Sequence, residues 1–228
     1  MTLINQDSKL KEIILHDPST ITVLDRFGIE LGVGDATVAD VCAKHGIDLN
    51  FFLAILNTFI NENYFPQDAL SQFSTTEIVE YLSKTNDYYE KNVLPNIDRH
   101  FSLLIGRAPS QNNNLVLMRE FFNEVKGELI QRINNDRQHW FPEVCGISYQ
   151  VNVLSESSSV GANTDMIEDK IDDLINMLIM HLKGDYEHNL GYAVIVAIFS
   201  LKKDIKQNNR IRNRILFPIY QSLRQSDE

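Results

Sequence analysis

Apolar residues recur at helical spacing along four long stretches, and this periodicity restricts the chain to an all-α fold. The first stretch opens at Ser74-Thr75-Thr76-Glu77, which has the spacing of a capping box, and runs through Ile78, Leu82, Tyr89 and Val93. Pro95 predicts a kink or a change of phase, after which the pattern resumes through Ile97 and Leu104. The second stretch runs from Leu115 to about Trp140, with Met118, Phe122, Val125 and Leu129 on one stripe. The third covers 164–183, with Ile167, Ile171, Leu174, Leu178 and Leu182. The fourth starts near Glu187 and reaches Arg212, with Val194, Ile198, Leu201 and Ile205. Residues 106–114 and Gly184-Asp185 break the pattern, and the serine-rich stretch 146–163 predicts a mobile loop. Four amphipathic helices with short to moderate connections predict an antiparallel four-helix bundle over 74–228. Short alternating runs separated by turn signals are missing, which argues against a β-sandwich or barrel.

The first 65 residues predict a separate small helical module, followed by a linker over 66–73. Its helices are short and need packing partners. One covers Lys9 to Leu15, and Asp17-Pro18-Ser19 opens another that stops at Gly28. After the glycine-rich turn GIELGVGDAT, Asp35 or Thr37 caps a helix ended by Gly46. Asp48 or Asn50 caps the next, over 51–60.

The second and fourth long helices end alike. One reads Arg132-x-x-x-Asp136-x-x-x-x-Phe141-Pro142, and the other reads Asn208-x-x-x-Arg212-x-x-x-x-Phe217-Pro218. Both polar pairs continue the apolar stripe of their helix, and the first helix brings Thr85 or Asn86 to the same side. Burying such groups is costly unless they pair. The predicted site is therefore a polar network of Asn86 or Asp87, Arg132, Asp136, Asn208 and Arg212, with Asp136 facing Arg212 or Arg132. Solvated helix ends are the plain alternative.

With these two Phe-Pro helix ends, and with the stretch Leu10-x-Glu12-Ile-Ile-x-x-Asp17-Pro18 through Phe27-Gly28-Ile29 and the helix start Thr37-Val38, the chain resembles the iron–sulfur cluster repair family. Members of that family join a small N-terminal domain to a hemerythrin-like di-iron bundle. The resemblance implies that fold, a di-iron cofactor, a role in nitrosative or oxidative stress, and a homodimer. It also marks departures. The family's adjacent cysteines are replaced by Leu31-Gly32-Val33-Gly34. Its His-x-x-x-Glu pairs before each Phe-Pro become Arg132/Asp136 and Asn208/Arg212. The first-helix histidine falls at Asn86 or Asp87, and the third-helix position falls near 168–172, where no histidine stands. Arginine stays protonated and cannot coordinate a metal. The expectation is a degenerate, metal-free member with no cofactor.

Three functions remain open on these residues. One is a binding or regulatory scaffold with a protein partner. Another is atypical iron binding through Asp136, Asp87, Glu168, Asp169 or Asp172. The third is a sensor holding a small anion in the vacated site, since guanidinium groups suit carboxylate and phosphate. The six histidines (16, 45, 100, 139, 181 and 188) lie outside the ligand spacing. The formal charge of −10 argues against a nucleic-acid partner. The basic stretch 202–214 (KKDIKQNNRIRNR) then predicts a solvated helix face. Cys42 and Cys145 make no disulfide framework, the first residues lack the pattern of a signal peptide, and the apolar run YAVIVAIF (192–199) is too short to span a bilayer. A cytoplasmic protein without membrane attachment is expected.

Overall fold

Side-chain caps at Asp17, Thr37, Asp48 and Ser74 start several of the helical segments. The computed structural model describes residues 3–70, 72–108, 113–146 and 166–226. The stretch predicted as a mobile loop lies, from 147 onward, outside these residues. Helix α1 (Leu10–His16) leads through a 3₁₀ turn (Pro18–Thr20), capped by Asp17, into α2 (Ile21–Arg26). Thr37 and Asp40 form a capping box at α3 (Val38–His45), which ends at Gly46 in the left-handed conformation with φ of 65°. Asp48 caps α4 (Leu49–Ile60) by accepting from the Phe51 N–H at 2.8 Å. A four-residue helix, α5 (Gln67–Leu70), interrupts the expected linker.

Ser74 and Glu77 form the predicted capping box at α6 (Thr75–Tyr88). A π-helical turn (Tyr89–Val93) separates it from α7 (Leu94–Arg107). Helix α8 (Asn113–Asn135) passes through a second π turn (Asp136–Trp140) into α9 (Phe141–Val144). After α10 (Ile167–His181), α11 (His188–Ile211) meets a third π turn (Arg212–Leu216) and continues as α12 (Phe217–Ser226). Among the described residues the chain is all-helical, with an isolated β-bridge between Lys9 and Thr37.

Each π turn has the same cause. Proline at 95, 142 and 218 lacks an N–H and collides with the carbonyl four residues earlier in a regular α-helix. In all three cases the residue before proline donates its N–H one step further back: Leu94 to Tyr89, Phe141 to Asp136 and Phe217 to Arg212. The wider turn relieves the conflict without ending the helix.

The long helices pack in a cycle: α7 on α11, α11 on α10, α10 on α8 and α8 on α7. Their stripes form one apolar cluster, including Ile97, Phe101, Phe122, Leu129, Leu174 and Ile198. A second cluster joins α1–α5 to the start of α6 and to Trp140, Phe141, Val144, Ile211, Leu216 and Tyr220 around the two Phe-Pro junctions. Full burial of such side chains contributes about 1.5–3 kcal/mol each. Among the described residues, no helix is long and apolar enough to cross a membrane.

Candidate functional site: a buried polar layer

Between the two apolar clusters lies a band of buried polar side chains: Arg26, Thr85, Asn86, Asp136, Asp204, Gln207, Asn208 and Asn209. Desolvation makes an unpaired member of such a band costly, so its hydrogen bonds decide what it can do.

Asp136, 1% exposed, opens the second π turn. Arg212, the equivalent residue of the third, grips both its oxygens, with Nη1 2.5 Å from Oδ2 and Nη2 2.8 Å from Oδ1. Asn86 Nδ2 donates to the same Oδ2 at 2.9 Å. The Arg212 guanidinium lies 4.5 Å from the Trp140 ring centroid, so the cation is held by a carboxylate and an aromatic face together. The expected partnership of Asp136 with Arg212 is therefore the one formed.

Asn208 takes a different set of partners. Its Nδ2 donates to Tyr89 Oη at 3.1 Å, to the Asp204 carbonyl at 2.8 Å and to Asp204 Oδ1 at 3.1 Å, and its Oδ1 accepts from Thr85 Oγ1 at 3.5 Å. Arg132 donates to Asn209 Oδ1 at 3.0 Å, and Asn209 passes the contact to Glu168 on α10 at 2.6 Å. Asp87 is not part of the layer. It sits on the outer side of α6, half-exposed, and pairs with Lys91 at 2.6 Å and Arg137 at 3.1 Å. Of these two neighbours Asn86 is the one in the layer, because one residue further along a helix turns the side chain by about 100°.

Four members of the band, Arg26, Asp204, Gln207 and Asn209, were not among the residues predicted from sequence. Arg26, from the end of α2, is fully buried and forms an ion pair with Asp204. It also donates to Tyr81 Oη at 3.1 Å and lies 5.5–5.9 Å from the ring centroids of Tyr81, Tyr88 and Tyr89. Burial opposes its charge, but the Asp204 carboxylate outweighs that effect and holds the guanidinium protonated. Burial pushes the Tyr81 and Tyr89 hydroxyls upward, so both stay neutral. Tyr89 had a signal: Tyr89-x-x-x-x-Leu94-Pro95 is a third copy of the repeat that spans the other two π turns.

The basic stretch 202–214 is not a solvated face. Lys202 pairs with Asp172, and Lys203 reaches Asp17 at 2.6 Å and Ser19 Oγ at 2.7 Å. Lys206 pairs with Glu62 at 2.8 Å. Arg210 donates to the carbonyls of Thr58, Asn61 and Tyr64, the exposed carbonyl end of α4 and the turn after it. Lys203, Lys206 and Arg210 thus fasten the N-terminal helices to α11, while Lys202 ties α11 to α10.

Comparison of the chain with protein-family models and with curated protein sequences finds no match. The donor set itself bears on a di-iron centre. Asp136 presents oxygens already bonded to a guanidinium and an amide, and Arg212 has no lone pair to offer. Iron needs carboxylate and imidazole, so these residues do not fit two iron ions. Of the other acids considered, Glu168 accepts from Asn209, Asp172 pairs with Lys202, and Asp169 is exposed. Among the described residues no group of three His, Cys, Asp or Glu side chains is arranged to hold a metal. Five of the six histidines are exposed, and His100 contacts the Asn96 carbonyl at 2.8 Å. Burial pushes the Cys42 thiol up to about 11 and raises that of Cys145, the opposite of an activated nucleophile.

Proposed function

We propose that this chain is a degenerate relative of the iron–sulfur cluster repair family, in which a fixed ionic layer stands where relatives hold di-iron. It acts in the cytoplasm by contact, as a binding or regulatory scaffold for a protein partner. In this reading α6–α7, α8, α10 and α11 form a hemerythrin-like antiparallel four-helix bundle; their cyclic packing supports that arrangement. The N-terminal helices correspond to the family's small domain.

The observation that carries the reading is the Asp136 clamp. Its carboxylate is the one acid retained at a matched ligand position, and it is closed off by Arg212 and Asn86. A guanidinium supplies the positive charge that a metal would otherwise bring to the helix junction, and its planar fork matches both carboxylate oxygens. Rigid crosslinking of helices survives, while a vacant coordination position does not.

Anaerobic incubation with ferrous iron, followed by metal analysis and absorption spectroscopy, tests this. The expected result is no stoichiometric iron and no oxo-bridge absorption after exposure to oxygen. Iron at two per chain with that absorption would overturn the scaffold reading in favour of iron chemistry. A thermal-shift screen with small anions completes the test. Stabilisation by one carboxylate or phosphate, abolished by Arg132→Met, would favour the anion sensor instead.

A further inference from the structure

We infer that Arg214, stacked with Arg210 on the ring of Phe65, is the docking point for an acidic segment of a partner protein, one of whose carboxylates it takes in a bidentate fork. The chain carries 31 acidic against 21 basic side chains, so carboxylates are in ample supply. Most described lysines and arginines pair with one. Among the described residues, neither Arg210 nor Arg214 does. Lys206, Arg210 and Arg214 recur at intervals of four along α11 and its π turn, and like charges at that spacing destabilise a helix. Glu62 is the carboxylate near them, and it is bonded to Lys206. Burial and the charge of Arg214 together press the Arg210 guanidinium below its ordinary range, and Glu62 only partly offsets them. An anion brought from outside relieves that repulsion.

The two arginines divide the work. Arg210 spends its Nη donors on the carbonyls of Thr58, Asn61 and Tyr64 and on Gln207 Oε1, so it supplies fixed positive charge. Arg214 is exposed and has no hydrogen bond or ion pair with any described residue. Its guanidinium lies 5.0 Å from the Phe65 ring centroid, against 5.2 Å for Arg210. Stacking engages the face of a guanidinium and leaves the N–H donors at its edge free, which holds the fork ready for a carboxylate. The occupant carries several carboxylates, because one exposed ion pair contributes little and a neighbouring carboxylate also falls in the field of Arg210. A nucleic acid is disfavoured, since its phosphates would run past this patch onto a chain of net charge −10. The inference rests on the scaffold reading and names the chemistry of the partner.

Fluorescence anisotropy of a labelled hexaglutamate peptide, titrated with the full chain at low ionic strength, tests it. Binding at about 10–100 μM is expected, weakening as salt is added. Arg214→Ala should weaken it at least about tenfold. Arg214→Lys keeps the charge but not the fork and should weaken it at least about threefold. Lys44→Ala removes an exposed cation elsewhere and should leave binding unchanged. The urea midpoint of the Arg214 variants should match that of the parent chain, because the side chain is exposed. No binding up to about 1 mM, equal losses for Arg214→Ala and Lys44→Ala, or full binding by Arg214→Lys overturns the inference. Tighter binding of inorganic phosphate or of a labelled oligothymidine through Arg214 overturns it as well. Iron loading is read separately. Stoichiometric iron with peptide binding intact removes the scaffold reading alone, and a metal-free chain that ignores the peptide removes this inference alone.

Discussion

The Arg26–Asp204 and Asp136–Arg212 pairs belong to one polar layer, yet they are built differently. Arg26 is wholly buried beneath three tyrosine rings and crosses from α2 to α11, joining distant parts of the chain. Arg212 keeps 11% of its side chain exposed and joins two π turns that occupy equivalent places in their helices. The first pair locks the N-terminal helices onto the long ones. The second locks the long helices to each other. Full desolvation makes the first intolerant of a missing partner. Slight exposure gives the second a route of relief, because Arg212 can turn toward water while Trp140 still covers its face.

Substitutions can break this comparison. Asp204→Ala strands Arg26 and should cost about 3–5 kcal/mol, lowering Tm by roughly 6–20 °C for a chain of this size. Asp136→Ala should cost less, toward about 3 kcal/mol. Urea denaturation of both variants checks the order, and a larger loss for Asp136→Ala would reverse the account of desolvation. Replacing both members of a pair sharpens it further. Arg26→Met with Asp204→Leu should recover most of the lost stability, because the strain of an unpaired buried charge disappears with the charge.

Smaller effects concern how the N-terminal helices are attached. Arg210→Ala leaves carbonyls at the end of α4 without their guanidinium donor and should cost about 1–2 kcal/mol in the same assay. The acid limb of stability reports on Asp17. Burial opposes ionisation of its carboxyl, but hydrogen bonds from Lys203 and Ser19 prevail and hold it below its ordinary range. A depressed carboxyl contributes stability that is complete above its unfolded pKa of about 3.9. That contribution is lost as pH falls through the lower folded value. Lys203→Ala should therefore lower the urea midpoint near neutrality and flatten its decline below about pH 4, so that the variant and the parent chain converge in acid. An unchanged acid limb would remove Asp17 from the attachment.

Much of this arrangement was legible along the chain. The stripe through Met118, Phe122, Val125 and Leu129 is buried as its spacing required. Local capping groups close to their helices, such as Thr37, Asp48 and Ser74, act where they stand. The layer positions Asn86, Asp136, Asn208 and Arg212 could be read because each continues an apolar stripe. Arg26 could not, because nothing within α2 distinguishes a buried arginine from an exposed one. Asp204 was obscured by its company: one acid in a run of bases looks like part of a solvated face. Both identities depend on residues 178 positions apart.

The sequence alone determined the helices, their inward stripes and the prolines that widen three of them, because these follow from contacts within a few residues. Tertiary structure decided which carboxylate met which guanidinium, that the basic stretch turned inward onto the N-terminal helices, and that Asp87 faced out while Asn86 faced in. Those outcomes depend on desolvation, and desolvation exists only once separate helices exclude water together.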